Sequence, residues 1–234
     1  MAGNNVVNRN ITDLGNFLSK AGAQINGLGT SVITINGVPK LTNTTYSIIP
    51  DRVEAATLLI AGAITKSEIT VDNIIPSHLE SLLEKLKECG AKLTIADHSI
   101  TIQSNGSIKS VSLDTQPFPG FPTDMQAQMM SLLCLAQGNS IIKESIFENR
   151  YMHAIELTRM GANIAIDSRH AFITGVPKLS GAEVKITDLR AGAALILAGL
   201  AAEGKTTVYG LKHLRRGYDN LPQKLIALGA KIYE

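Results

Sequence analysis

The sequence predicts an α/β fold in which helices form the core and sheets with outer helices form the shell. Three observations carry this. A Gly-Ala pair closes a helix-like stretch four times, at Gly22-Ala23, Gly90-Ala91, Gly161-Ala162 and Gly229-Ala230, spaced 68, 71 and 68 residues apart. Strand-like alternation follows, as at residues 32–35, 100–102 and 171–173. Three nearly continuous apolar runs, 53–64, 125–135 and 189–201, each stand behind an aspartate: Asp51, Asp124 and Asp188. A fixed period marks a repeated unit, and a helix that is apolar all round is a buried one. The unit reads β-α-β-α-β-β, about 70 residues long, with one buried and one amphipathic helix.

Each element has its local reason. The helices before the Gly-Ala pairs space their apolar residues at i, i+3, i+4 and i+7: Leu14, Phe17 and Leu18; Leu79, Leu82, Leu83 and Leu86; Met152, Ile155 and Met160; Leu221, Leu225 and Leu228. The glycine supplies the left-handed stop. Ser77 with Glu80 reads as a capping box for the second of these helices. In the stretch Phe121-Pro-Thr-Asp-Met-Gln-Ala-Gln128, Pro122 suits the approach to a helix. Thr123 and Asp124 are cap-type residues, and an acid at a helix mouth is favoured by the dipole. Strands follow the buried helices at 68–71, 140–143 and 205–208. Gly37-Val-Pro-Lys-Leu41 and Gly175-Val-Pro-Lys-Leu179 are copies of one another.

The phase of the repeat divides the chain. Residues 1–48 hold only the second half of a unit; residues 49–234 hold two full units and a third that stops after its Gly-Ala. A half-unit cannot bury its own apolar face. The expectation is that the chain is the C-terminal part of a longer repeat protein or needs a partner with the missing half. The alternative is a divergent first copy.

Composition excludes several classes. A net charge of +2 argues against a dedicated nucleic-acid binder. The core must be aliphatic, with five Phe, five Tyr and no Trp. Cys89 and Cys134 have neither metal-ligand nor disulfide spacing and read as buried thiols in a reducing compartment. The first ten residues are polar and unlike a signal peptide, and the longest apolar run, 191–202, is too short to span a membrane. A cytoplasmic location is the expectation.

Candidate chemistry lies with acids and arginines. Asp51, Asp124 and Asp188 share one repeat position. As helix caps each would contribute roughly 0.5–2 kcal/mol; alternatively the helix mouths converge on a cleft where one acid transfers a proton. Arg52, Arg150, Arg190 and Arg216 stand at loops or helix starts. They read either as surface or paired cations, or as a clamp for carboxylate and phosphate. In Arg215-Arg216-Gly217-Tyr218 the glycine would let a substrate approach the backbone. The histidines, His78, His98, His153, His170 and His213, are scattered without metal spacing, and no phosphate loop or nucleophile motif is present.

The strings Phe121-Pro-Thr-Asp-Met-Gln-Ala-Gln128, Phe147-Glu-Asn-Arg-Tyr-Met-His153, Thr187-Asp-Leu-Arg-Ala191 and Arg216-Gly-Tyr218 resemble the C-terminal half of the UDP-N-acetylglucosamine 1-carboxyvinyltransferase family, over essentially the whole chain. The sister enzyme of aromatic biosynthesis shares the fold but not these strings. The resemblance implies an inside-out α/β barrel of βαβαββ repeats, here incomplete. Residues 1–48 would be the tail of one domain and 49–234 most of the other, lacking a short segment that completes it. It implies transfer of enolpyruvyl from phosphoenolpyruvate to the 3′-hydroxyl of UDP-N-acetylglucosamine through a tetrahedral phospho-ketal, the first committed step of peptidoglycan synthesis, with no metal or organic cofactor.

By that resemblance Asp124 contacts the sugar hydroxyl and is its general base, and Ile146 is a backbone contact of the sugar nucleotide. Arg190 and Arg216 hold phosphoenolpyruvate, and Asp51, Arg52, Arg150 and Asp188 position these groups. The family also has about as much chain again before this region, with a Lys-Asn pair, an arginine of the sugar-nucleotide site and a loop bearing a reactive cysteine. Neither Cys89 nor Cys134 matches that loop. The expectation is an enzyme in truncated or split form whose isolated chain does not turn over, the alternative being a non-catalytic remnant or binding half-site. Residues 1–48, with an uncovered apolar face, are expected to be the first segment cut by protease.

Overall fold

The computed structural model describes residues 9–233. Two compact units form, one from residues up to Asp51 with Pro117–Pro119, the other from Arg52–Gln116 and from Gly120 onward. The first unit has α1 (Arg9–Lys20) and an antiparallel pair, β1 (Gln24–Asn26) and β2 (Thr34–Asn36). Its apolar side chains are largely bare: Leu14, Phe17, Val32, Ile35 and Leu41 are all exposed.

The second unit is built on three buried helices: α2 (Arg52–Ile64), α4 (Gln126–Leu133) and α6 (Leu189–Ala201). All three pack on one another. Every residue of α4 is buried, as are Ala191 to Ala198 of α6. The approach of α4 to α6 is sealed by the Ser131 hydroxyl, which donates to the Ala194 carbonyl at 2.8 Å. Alanines and glycines on α6 permit that closeness; they present little side-chain bulk.

Sheets cover this core. The complete middle repeat runs β6 (Leu113–Thr115), α4, β7 (Asn139–Glu144), α5 (Met152–Arg159), β8 (Asn163–Asp167) and β9 (His170–Thr174). Its sheet order is β6-β7-β9-β8, with β6 parallel to β7 and the other pairs antiparallel. The repeat before it has α2, β3 (Glu68–Asp72), α3 (Glu80–Glu88), β4 (Lys92–Ile95) and β5 (Ser99–Gln103), in order β3-β5-β4. No strand stands between β2 and α2 among the described residues, so this unit lacks the leading strand of the expected β-α-β-α-β-β pattern. The last repeat pairs β10 (Glu183–Lys185) in parallel with β11 (Thr207–Tyr209), and α7 (Leu221–Ala227) follows.

The four Gly-Ala stops form as expected: Gly22, Gly90, Gly161 and Gly229 all have φ between 91° and 101°. No strand follows the fourth among the described residues. Other expectations fail for local reasons. Ser77 is not the N-cap expected of it: Pro76–His78 makes a 3-10 turn, and Leu79 becomes the N-cap of α3, with no side-chain bond of its own to the helix. On α5 the buried face is His153, Ala154 and Leu157, whereas Met152 and Ile155 face solvent. The period is helical but its phase differs, because a buried histidine reads as polar.

The duplicated Gly-Val-Pro-Lys-Leu string meets two fates. Around Gly37 there is open space and Leu41 is 48% exposed; at Gly175 a Cβ would lie 1.5 Å from the Ala136 carbonyl oxygen, and Leu179 is fully buried. Only the second copy requires its glycine.

Candidate active site

Asp124 lies in a 3-10 turn, Thr123–Met125, that opens into α4. It is not the cap expected of it. Pro122 takes the extended N-cap position, and the backbone closes the turn from the Met125 amide to the Pro122 carbonyl at 3.0 Å. The Asp124 carboxylate is thereby left for side chains. Arg150, from the turn after β7, brings Nη2 to Oδ1 at 2.8 Å. Arg190, from the first turn of α6, brings Nε to the same oxygen at 3.4 Å. Burial alone would push the Asp124 carboxyl up, but the Arg190 and Arg150 guanidiniums outweigh it and hold it below the usual carboxylate range.

Each arginine is itself placed. Arg150 donates from Nη1 to the Thr123 hydroxyl at 2.8 Å, so one guanidinium spans Thr123 and Asp124. Its Cζ lies 4.6 Å from the centre of the Phe147 ring, a cation–π contact. Arg190 rides on a capped helix. Asp188 is the N-cap of α6, and its Oδ1 accepts from the amides of Arg190 and Ala191, both at 2.9 Å.

A buried hydroxyl network draws one residue from each repeat. Thr57 of α2 donates to the Val53 carbonyl at 2.8 Å, which uses its only proton. The Tyr218 hydroxyl therefore donates to Thr57 at 2.9 Å and accepts from Gln128 of α4 at 3.2 Å. Burial pushes the Tyr218 hydroxyl up; Thr57, Arg190 and Gln128 temper that rise. The network thus joins α2 and α4 through Tyr218.

The other expected residues are placed differently. Ile146 follows β7 with its amide bonded to Glu144, and its side chain is partly exposed. Arg216 ends the 3-10 turn Leu214–Arg216, is exposed, and makes no ion pair among the described residues. Arg52 begins α2 and is half-buried; Asp51 is exposed and belongs to the first unit. Gly217 is exposed, and a Cβ there would lie 2.6 Å from Leu189 Cδ2, so the glycine leaves room for Leu189. Cys89 and Cys134 are buried, and burial pushes both thiols up to about 12, unlike a reactive thiolate. Among the described residues no three His, Cys, Asp or Glu side chains gather as a metal site, and no helix is long and apolar enough to cross a membrane.

Sequence reasoning missed Thr57, Gln128, Thr123 as a link to Arg150, and above all Glu144. A signal existed for the last. β7 alternates outward and inward, and Glu144 falls on the inward phase with Ser140 and Ile142, where a charge is out of place.

Known proteins share this arrangement of chain. A protein 57% identical over 225 residues, from Nostoc sp., is named UDP-N-acetylglucosamine 1-carboxyvinyltransferase; the match covers 95% of this chain and 50% of that protein. A second so named, from Caldanaerobacter subterraneus, is 52% identical over 95% of this chain and 54% of its own length. The chain therefore spans about half the length of the curated relatives it matches. Among solved structures, the enolpyruvyl transferase NikO from Streptomyces tendae superposes with a TM-score of 0.84 at 29% identity, over 95% of this chain and 54% of that one. EPSP synthase from Acinetobacter baumannii, at 19% identity and a TM-score of 0.69, shares the fold. The family model for EPSP synthase (3-phosphoshikimate 1-carboxyvinyltransferase) matches residues 3–225. On that match the chain belongs to the EPSP synthase family, with the enolpyruvyl transferase fold, and the curated relatives it resembles are named UDP-N-acetylglucosamine 1-carboxyvinyltransferase.

Proposed function

We propose that this chain carries one part of the active site of a UDP-N-acetylglucosamine 1-carboxyvinyltransferase. Its substrates are phosphoenolpyruvate and UDP-N-acetylglucosamine. One observation supports this most: a partly buried carboxylate, Asp124, held on a single oxygen by two arginines at the mouth of a buried helix. Residues 1–48 are assigned to the end of one enolpyruvyl transferase domain and 49–234 to most of a second. The relatives' additional length supplies the remainder of the site, and the reaction is placed in the cytoplasm.

In this reading Asp124 Oδ2, the oxygen neither arginine holds, takes the proton of the sugar 3′-hydroxyl. The hydroxyl oxygen then bonds to C2 of phosphoenolpyruvate while C3 gains a proton, giving the tetrahedral phospho-ketal. C3 loses a proton, the C2–O bond to phosphate breaks, and phosphate leaves. We assign no residue of this chain to the C3 proton. Ile146 contacts the sugar nucleotide through its backbone; Arg190 and Arg216 hold the carboxylate and phosphate. Asp51, Arg52, Arg150 and Asp188 position these groups.

The two arginines have unequal parts. An aspartate held low by cations is ionised but weakly basic. Arg190, at the longer 3.4 Å, is the partner that an incoming anion draws away. Its departure raises the basicity of Asp124 when substrate is bound. Fixed cations around two anions in a site closed to water also lower the barrier for phosphate departure.

The test is phosphate release from phosphoenolpyruvate that depends on UDP-N-acetylglucosamine, with this chain alone and mixed with the N-terminal half of a curated relative. Release in the mixture is expected. A folded chain that is silent in both arms would sink the reading.

A further inference from the structure

We propose that Glu144 is a positioning residue that sets the Arg150 guanidinium against Asp124, acting through the Thr123 hydroxyl and through the turn that carries Arg150. Glu144 closes β7 and is 1% exposed. Its Oε1 accepts from the Thr115 hydroxyl at 2.7 Å and from the amides of Ile146 at 3.0 Å and Phe147 at 3.1 Å. Its Oε2 accepts from the Thr123 hydroxyl at 2.8 Å. Among the described residues no cation pairs with it.

The polarity of this relay is forced. A carboxylate only accepts, so Thr123 must give its single proton to Glu144. The Thr123 oxygen then turns its lone pairs to Arg150 Nη1 at 2.8 Å, while Nη2 of the same guanidinium meets Asp124 at 2.8 Å. A second route reaches the same arginine. Glu144 holds the Phe147 amide, and the Phe147 ring lies against the Arg150 guanidinium. One buried acid therefore anchors both flanks of Arg150: the turn before α4 and the turn after β7. Burying a charge without a counter-ion is costly, and an apolar side chain would fill an inward strand position at less expense. Four hydrogen bonds, three of them to the two functional loops, are what the acid provides instead.

The geometry stands without the functional reading; only its consequence for turnover rests on that reading. The probe is the Asp124 carboxyl itself, followed by ¹³C NMR titration of the full chain and assigned by its loss in Asp124→Asn. Arg150 and Arg190 are the charged groups that face it. In Thr123→Val the relay is cut without a change of charge, and the Asp124 midpoint shifts upward as Arg150 withdraws; Thr123→Ser keeps the relay and the native midpoint. In Glu144→Gln the midpoint also rises, although loss of a neighbouring negative charge alone would lower it. A folded Thr123→Val whose Asp124 midpoint is unchanged or lower overturns the proposal, even if Glu144→Gln does not fold. In the phosphate-release mixture, Thr123→Val lowers kcat by up to about a hundredfold and Thr123→Ser restores it. Silence of every variant and of the wild type, with the titration shifted as stated, would sink the functional reading and leave the positioning role intact.

Discussion

Asp124 and Asp188 stand at the same step of two copies of one repeat, each before a buried helix, and the molecule uses them in opposite ways. Asp188 spends its carboxylate on its own helix, accepting two amides of α6. Asp124 makes no such bond; a proline takes the cap position before it, and its carboxylate faces two guanidiniums. Equal position in a repeat thus places both acids before a buried helix, while a 3-10 turn at one of them decides whether the acid caps its helix or meets two guanidiniums. Asp188 still contributes indirectly, because the amide it caps belongs to Arg190.

The sharpest way to break the comparison is to remove the link between the two mouths. Arg190→Ala should lower phosphate release in the complemented mixture by roughly 10²–10³-fold, the cost of losing one donor aimed at developing charge. A fall of less than tenfold would mean that Arg190 belongs to structure, as Asp188 does.

Acid is the next lever. His153 is buried on α5, and burial, only partly offset by Asp188, lowers its pKa to about 4. The folded state therefore binds fewer protons than the unfolded state, whose histidine titrates near 6.5. This contribution is complete above pH ~6.5 and is lost as pH falls from there toward about 4, on the order of 3 kcal/mol. Urea midpoints at neutral and acid pH should diverge in the wild type and diverge much less in His153→Gln. Equal divergence in both would remove His153 from the account.

Smaller effects separate cap from clamp. Asp188→Ala should cost about 1 kcal/mol of stability in urea unfolding, and Asp188→Asn, which can still cap, only a fraction of that. Tyr218→Phe removes the hydroxyl that Gln128 donates to, with a cost of about 1 kcal/mol and a modest loss of phosphate release. A Tyr218→Phe variant as stable as wild type would mean that the three-repeat network carries no weight.

Much of this architecture was legible because it rests on period and punctuation. The buried helix expected at 189–201 is observed as Leu189–Ala201, and the four glycine stops adopt the left-handed backbone. Phase and competition were less legible. The α5 face was misassigned because His153 packs where a Met or Ile was expected. At Ser77 a 3-10 turn begun by Pro76 moves the N-cap of α3 to Leu79. Asp124, Arg150 and Arg190 were all candidates in the sequence, and the structure brings them together; Arg216 stands apart from their ion pairs. Thr57, Gln128 and Tyr218 could not be joined from sequence, because 71 and 90 residues separate Gln128 from its partners and hydroxyl networks leave no periodic trace. The two Gly-Val-Pro-Lys-Leu copies make the same point: one string, bare at Leu41 and buried at Leu179.

The central claim, that one repeat position carries an acid for chemistry in one copy and for helix capping in the next, is tested most directly by a paired assay. Phosphate release in the complemented mixture would be measured for Asp124→Asn and Asp188→Asn. The account predicts a loss of roughly 10²–10⁴-fold for the first and near wild-type rates for the second. Equal losses in the two variants, both folded, would contradict it.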